Sequence, residues 1–305
     1  MQSEKLRETL ESKDDLFTDI LGQESIKKEL KSALISGRNI IIVGPPGIGK
    51  TTLAKNVAKI SGLNNFVRIQ GSPDITVEDI LGDIDPIKAL KYGPLSIEAF
   101  QKGKIFKADK GVLFFDELNR CPEKVQNALL QVLEEKKATI GSYDVDFDLD
   151  FIFIATMNPE DSSTEKLSDV LLDRFDILYM GYPESRAIEE NIVKLKGKKI
   201  CEVPEKMLRL IVYFIRALRE EKELEKKPSV RATLGLYERS QANAMLSGRK
   251  KVVLEDIKEA IISVISHRIS LKPSVKYLES TTEFVERQFK KLNTERLHDE
   301  SGGEG

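Results

Sequence analysis

The amino-acid sequence predicts an α/β protein: a three-layer sandwich with a parallel sheet covered on both faces by helices, followed by a smaller all-α domain. Three observations carry that expectation. Short, almost wholly apolar runs recur through the first 180 residues: "NIIIV" (39–43), "FVRIQ" (66–70), "VLFF" (112–115), "FIFIA" (151–155) and "FDILYM" (175–180). Most show no in/out alternation, which is the pattern of strands buried on both faces. Helix-patterned stretches separate these runs, and after Tyr182-Pro183 only helical patterns are read.

The helices are justified by their spacing. "KTTLAKNVAKIS" follows the first run, and "PEKVQNALLQVLEEKK" follows the third, with apolar residues at 125, 129, 130, 132 and 133 on one face. An insertion between Gly71 and Gly111 contains local helical pieces broken by Gly82, Pro86, Gly93 and Pro94. The stretch 137–150, "KATIGSYDVDFDLD", reads as a hairpin turning at Gly141-Ser142. Its Asp144, Asp146, Asp148 and Asp150 alternate with apolar residues. A calcium loop would need a mid-loop glycine and a terminal glutamate, both missing, so the expectation is a solvated acidic strand face. Residues 1–183 are assigned to the sheet domain and 184–292 to a helical domain. In the latter, Met207, Leu208, Ile211, Ile215 and Leu218 form one stripe and Leu254, Ile257, Ile261, Val264 and Ile265 another. Residues 293–305, ending in "HDESGGEG", are expected to be disordered.

Composition excludes several classes. The 305 residues carry 48 Lys and Arg against 50 Asp and Glu, a net charge of −2, so the surface as a whole is no nucleic-acid footprint. Cys121 and Cys201 are too far apart for a metal-binding pair and read as small apolar residues in or near cores. His267 and His298 are too scattered for a metal cluster. No apolar run approaches the roughly 18 residues that span a bilayer. The polar start "MQSEKLRETLESKDD" lacks a secretion signal, so a cytoplasmic protein without membrane insertion is expected.

The chemistry lies at the ends of the apolar runs. "GPPGIGKT" fits G-x-x-x-x-G-K-[ST] between a strand and a helix, the context in which the pattern cradles phosphate. Gly44, Pro45, Pro46, Gly47, Ile48 and Gly49 form the loop, and Lys50 reaches the β- and γ-phosphates of ATP. Thr51 offers its hydroxyl to Mg²⁺, and Thr52 continues the helix. In "VLFFDE" two carboxylates emerge from a buried strand, where open parallel sheets bind ligands. Asp116 is expected in the Mg²⁺ shell and Glu117 as the general base on water. "FIFIATMNP" places Asn158, a neutral side chain suited to orienting water or the γ-phosphate, at the same edge.

Taken in order, the P-loop, "FFDELNR", the strand ending "TMNP", "LLDRFD" and "SVRA" resemble the AAA+ ATPases. More narrowly, "RIQGSPDITVEDILGD", the hairpin before the fourth strand, and "DELNR" resemble MoxR-type ATPases, relatives of the ATPase subunit of magnesium chelatase. The resemblance runs from about Phe17 to Ile265. It implies a five-stranded sheet with the P-loop strand between neighbours, an all-helical lid, and assembly with copies of itself as a ring, usually hexameric. It also implies that Leu21 and Gly22 of "ILGQ" pack by the adenine. Residues 71–111 would carry the helix-2 insert and 137–150 the pre-sensor hairpin. Asn158 matches sensor 1, Arg231 in the frame Ser229-Val230-Arg231-Ala232 matches sensor 2, and Arg174 matches the arginine finger. MoxR-type lids often place a proline before the sensor-2 arginine, where this chain has Val230.

Arg174 in "LLDRFD" therefore has two readings: an intrachain salt bridge to Asp173 or Asp176, or a finger aimed at the γ-phosphate of a neighbouring subunit. Arg120 likewise reads either as a trans contact or as a salt bridge at a helix start. The function that the resemblance implies is ATP-driven remodelling of a client protein, with a partner bearing a von Willebrand factor type A domain. A nucleic-acid motor is disfavoured, because no helix-turn-helix, zinc module or aromatic-rich basic stretch is present and "KLKGKK" (194–199) reads as a solvated helix end. A GTPase-like switch lacks the guanine-selecting [NT]-K-x-D after the P-loop. Activation of a metal chelatase would use the same engine on a different client.

Overall fold

The computed structural model describes residues 2–11, 16–62, 65–94, 96–139, 146–159 and 167–301. The chain divides into two compact units, residues 1–45 with 49–181 and residues 46–48 with 182–305. The first is built on five parallel strands: β1 (Asn39–Val43), β2 (Phe66–Gln70), β3 (Val112–Asp116), β4 (Ile152–Met157) and β5 (Phe175–Tyr179). They lie in the order β2-β3-β4-β1-β5. The P-loop strand β1 thus has a neighbour on each side, with Ile40 level with Ile154 of β4 and Asn39 level with Phe175 of β5. All five residues of β3 are buried, as are Ile40 to Val43 of β1. The edge strand β2 differs: Ile69 is buried while Arg68 and Gln70 are exposed.

Helices α1 (Gln2–Glu11), α2 (Glu24–Ile35), α3 (Lys50–Ser61), α4 (Val77–Leu81), α5 (Pro86–Tyr92), α6 (Lys104–Lys107), α7 (Glu123–Glu135) and α8 (Asp169–Leu172) belong to this unit. Helix α7 buries Val125, Leu129 and Val132, and Leu130 and Leu133 pack partly buried against the same core. Each fully buried aliphatic side chain contributes on the order of 1.5–3 kcal/mol, an upper range for real denatured states. In the insertion, Thr76 and Asp79 form a capping box at the start of α4, and Asp85 caps α5 ahead of Pro86. Gly82–Ile84 pairs antiparallel with Phe100–Lys102, a contact that the helical reading of this segment did not anticipate. Three-residue strands paired across a helix leave too short a pattern to read locally. Lys137–Thr139 pairs antiparallel with Asp146–Asp148. Asp148 and Asp150 are exposed on either side of buried Leu149, a solvated acidic face; the expected turn at Gly141-Ser142 lies outside the described residues.

The second unit contains α9 (Arg186–Lys196), α10 (Glu205–Glu220), α11 (Val230–Leu246), α12 (Leu254–Ile265), α13 (Pro273–Lys276) and α14 (Thr281–Ser301). Its core takes Leu208, Ile211, Ile215 and Leu218 from α10 and Ile257, Ile261, Val264 and Ile265 from α12, with Met207 and Leu254 partly buried at its margin. One expectation is corrected here. The unit is not helical throughout, since Leu224–Lys226 pairs antiparallel with Ser270–Leu271. These strands are again too short to show a period. The backbone of α14 continues to Ser301. "TERLHDE" contains no helix breaker before Gly302-Gly303, so propensity lets the helix run on.

Candidate active site at the carboxyl edge of the sheet

Strand β1 ends at Val43 and α3 begins at Lys50, so "GPPGIG" forms the connection at the carboxyl end of an inner strand. Gly47 and Gly49 hold left-handed φ angles of 75° and 110°, which a residue with a Cβ adopts only under strain. Gly44 is tied to β4 by its N–H donating to Met157 O at 3.2 Å. Pro45, Pro46 and Ile48 are half-buried, and Thr52 sits in the first turn of α3. Gly49, at the N-cap of α3, supplies no side-chain cap. The positive end of the helix dipole suits an anion. Lys50 Nζ folds back and donates to Gly44 O at 2.5 Å and Pro45 O at 2.8 Å.

Asp116 ends β3 and stands beside this loop. Thr51 Oγ1 donates to Asp116 Oδ2 at 3.4 Å, so the two groups expected to hold the cation share one place. A hydroxyl and a single carboxylate are hard oxygen donors. That set suits Mg²⁺, which takes one or two protein ligands and fills its octahedron with phosphate oxygens and water. Three further groups fasten the carboxylates, and all escaped the sequence reading. Thr156, fully buried in β4, donates to Asp116 Oδ1 at 2.6 Å and accepts from Glu117 N at 3.0 Å. Arg68 donates from its NH2 nitrogen to Asp116 Oδ2 at 2.6 Å, and Gln70 Nε2 donates to Glu117 Oε2 at 2.9 Å. The signal was present: a threonine inside an apolar strand, and polar side chains two residues apart on a presumed buried strand.

Glu117 itself has a left-handed backbone, φ 58°. Arg120 lies 3.0 Å from Glu117 Oε2, which answers one of the two readings of that arginine with an intrachain partner. Gly71 packs its backbone on this turn, where an added Cβ would meet Glu117 O at 2.1 Å, so only glycine fits there.

The remaining candidates fall in several places. Ile20 is buried and lies against the start of α3, 3.3 Å from where a Cβ on Gly49 would stand. This sets half-buried Leu21 and Gly22 beside the phosphate loop, with Gln23 donating to Gly181 O at 3.3 Å. Asn158 follows β4 directly, and its carbonyl accepts from Asn119 Nδ2 at 3.2 Å. Arg231 is exposed in the first turn of α11, in the helical unit.

Arg174 is not brought to this edge. It precedes β5, whose Phe175 is level with Asn39 at the start of β1, whereas the phosphate loop follows the end of β1. The length of the strand, roughly 13 Å over four residues, separates the two levels. Arg174 pairs with Glu134 of α7 at 2.8 Å and donates to Val170 O at 2.7 Å. Neither Asp173 nor Asp176 is the partner expected from sequence adjacency; Asp176 instead pairs with Arg38 at 3.0 Å.

Comparison with known proteins agrees with this geometry. The family model for the AAA domain of the dynein-related subfamily matches residues 39–175, and the AAA lid domain model matches residues 216–288. The chain is 28% identical to Chaperone MoxR1 of Mycobacterium tuberculosis over 284 residues, covering 83% of this chain and 73% of that one. It is 25% identical to the magnesium-chelatase 38 kDa subunit of Chlorobaculum parvum over 260 residues, covering 69% and 70%. A crystal structure of an ATPase candidate from Cytophaga hutchinsonii superposes with a TM-score of 0.50 at 26% identity, covering 95% and 96% of the two chains. No helix among the described residues is long and apolar enough to cross a membrane. Two AAA models matched in order, a parallel sheet of order β2-β3-β4-β1-β5 and a glycine-rich loop beside paired carboxylates lead to one conclusion: the chain belongs to the AAA+ ATPases and is similar to MoxR1.

Proposed function

We propose that this ATPase binds ATP with Mg²⁺ at the carboxyl edge of its sheet, works as one subunit of a ring, usually hexameric in its family, and remodels a partner protein. The observation that carries the site assignment is the meeting of Thr51, Asp116 and Glu117 beside the phosphate loop. Lys50 exchanges its two loop carbonyls for the β- and γ-phosphates. Thr51 and Asp116 hold the cation, which when bound offsets charge on the phosphate oxygens. Glu117 takes a proton from the attacking water, and Asn158 orients that water or the γ-phosphate. Leu21 and Gly22 pack by the adenine. Arg231 reports the γ-phosphate to the helical unit, and Arg174 meets the nucleotide of a neighbouring subunit.

Chaperone-like remodelling follows the likeness to MoxR1, and a partner with a von Willebrand factor type A domain follows the MoxR-type resemblance. Likeness to a magnesium-chelatase subunit favours one second reading, activation of a metal-inserting partner. Stimulation of ATPase turnover by one partner and not the other separates them. The site is tested by Glu117→Gln, whose amide cannot accept the proton. Turnover should fall by about 10²–10⁴-fold while nucleotide binding persists. Normal hydrolysis by the variant would remove Glu117 from the chemistry.

A further inference from the structure

The edge strand β2 reaches into the cation site. Gln70 is level with Asp116 in the parallel register, and Arg68, two residues earlier, is exposed like Gln70, with buried Ile69 between them. Among the described residues β2 pairs only with β3, so it stands at the sheet edge. From this edge the Arg68 guanidinium donates to Asp116 Oδ2 at 2.6 Å, the same oxygen that accepts from Thr51 at 3.4 Å. It also donates to Gln70 Oε1 at 3.0 Å. The other oxygen of Asp116 is committed to Thr156 at 2.6 Å.

We propose that Arg68 competes with Mg²⁺ for Asp116, and so sets the Mg²⁺ concentration at which the subunit holds nucleotide tightly. The inference rests on the assignment of Thr51 and Asp116 as the cation-holding pair. Oδ1 already accepts from a buried hydroxyl, whereas Oδ2 is the oxygen that faces Thr51, the other cation-holding group, and it is there that the guanidinium sits. Two like-charged partners on one carboxylate oxygen oppose each other. Arg68 can give way at low cost, because its side chain is half-exposed and Gln70 Oε1 remains as a neutral acceptor. The result is a cation site tuned to be weaker than its ligands alone would make it.

The test titrates Mg²⁺ against binding of a fluorescent ATP analogue in the full chain, read by anisotropy, with a parallel series in EDTA. A hydrogen bond to a charged group is stronger than a neutral one, and partial exposure reduces it. The Mg²⁺ midpoint should therefore fall about three- to tenfold in Arg68→Ala. Affinity in EDTA should be unchanged, and Arg68→Lys should return the midpoint toward wild type. Arg68→Gln keeps a donor for Asp116 without the charge and should match the alanine variant, so it decides the matter if alanine destabilises the sheet edge. A midpoint that stays put or rises in the neutral variants overturns the proposal, as does an equal loss of affinity with and without Mg²⁺. Wild-type binding that ignores Mg²⁺ altogether would instead overturn the assignment of the cation site itself.

Discussion

Replacing Arg174 by alanine separates two roles that differ by several kcal/mol. Within its own chain the guanidinium holds Glu134 at 2.8 Å and Val170 O at 2.7 Å. Glu134 is 57% exposed, so its charge returns to water when the arginine is removed. A partly exposed pair of this kind contributes about 0.5–1 kcal/mol, a shift of roughly 1–4 °C in Tm for a domain of this size. An arginine finger is worth about 10³–10⁵-fold in turnover, or roughly 4–7 kcal/mol of barrier. Arg174→Ala should therefore remain folded, bind ATP and lose nearly all hydrolysis. Glu134→Ala breaks the same intrachain pair but leaves the finger, and should hydrolyse ATP near the wild-type rate. Mixing Arg174→Ala with Glu117→Gln should restore activity in proportion to mixed assembly, since a Glu117→Gln subunit still donates its arginine to a neighbour with an intact base. Equal loss of turnover in Glu134→Ala and Arg174→Ala, or co-assembled mixtures that stay inactive, would refute the trans role of Arg174.

Other perturbations follow from the same geometry. Lys50→Ala removes the cation from the phosphate loop, and two charge-assisted contacts at about 1.5 kcal/mol each predict a loss of more than about a hundredfold in affinity for labelled ATP; near wild-type affinity would remove Lys50 from the phosphate site. In the helical unit, Glu189 is fully buried and accepts from Arg219 at 2.6 and 2.7 Å and from Thr233 at 2.6 Å. Glu189→Ala strands the buried Arg219 charge, so chemical denaturation should show about 3–5 kcal/mol lost, and a change below 1 kcal/mol would contradict the network. Burial, with smaller contributions from Asp256 and Glu202, pushes the Cys201 thiol up, while Cys121 is fully buried. A raised pKa leaves less thiolate at neutral pH, so iodoacetamide should label the native protein at least about tenfold more slowly than the denatured chain; equal rates would contradict it.

What could be read from the sequence was whatever a short window carries. The five apolar runs, the strand–loop–helix around "GPPGIGKT" and the paired acids after "VLFF" are local patterns, and each became the element expected. Partnerships between distant segments left no such trace. Thr156 was passed over as a strand residue, although it binds Asp116 and Glu117 together. Arg68 and Gln70 carry no local mark of their role, because nothing nearby says that β2 stands at the sheet edge. The ion network around Glu189 joins α9, α10 and α11 through residues 30 and 44 positions apart. Short paired strands at Leu224–Lys226 and Ser270–Leu271 were invisible for the same reason.

Arg174 shows how three-dimensional placement changes the weight of a sequence argument. Adjacency favoured Asp173 or Asp176 as the partner, yet the guanidinium reaches Glu134, 40 residues away. That pair alone would favour the structural reading, since the arginine is satisfied within its own chain. Strand direction points the other way. All five strands run parallel, so the entry to β5 and the exit from β1 lie at opposite edges of one sheet. An arginine at the entry cannot serve a phosphate held at the exit of its own domain without crossing the length of the strand. Its pairing with Glu134 holds the partly buried guanidinium beside α7, away from the phosphate loop of its own chain. A half-exposed salt bridge costs little to exchange for a phosphate. The proposed trans role thus rests on the direction of the sheet, and the Glu134→Ala control is the measurement that separates it from the pair seen within the chain.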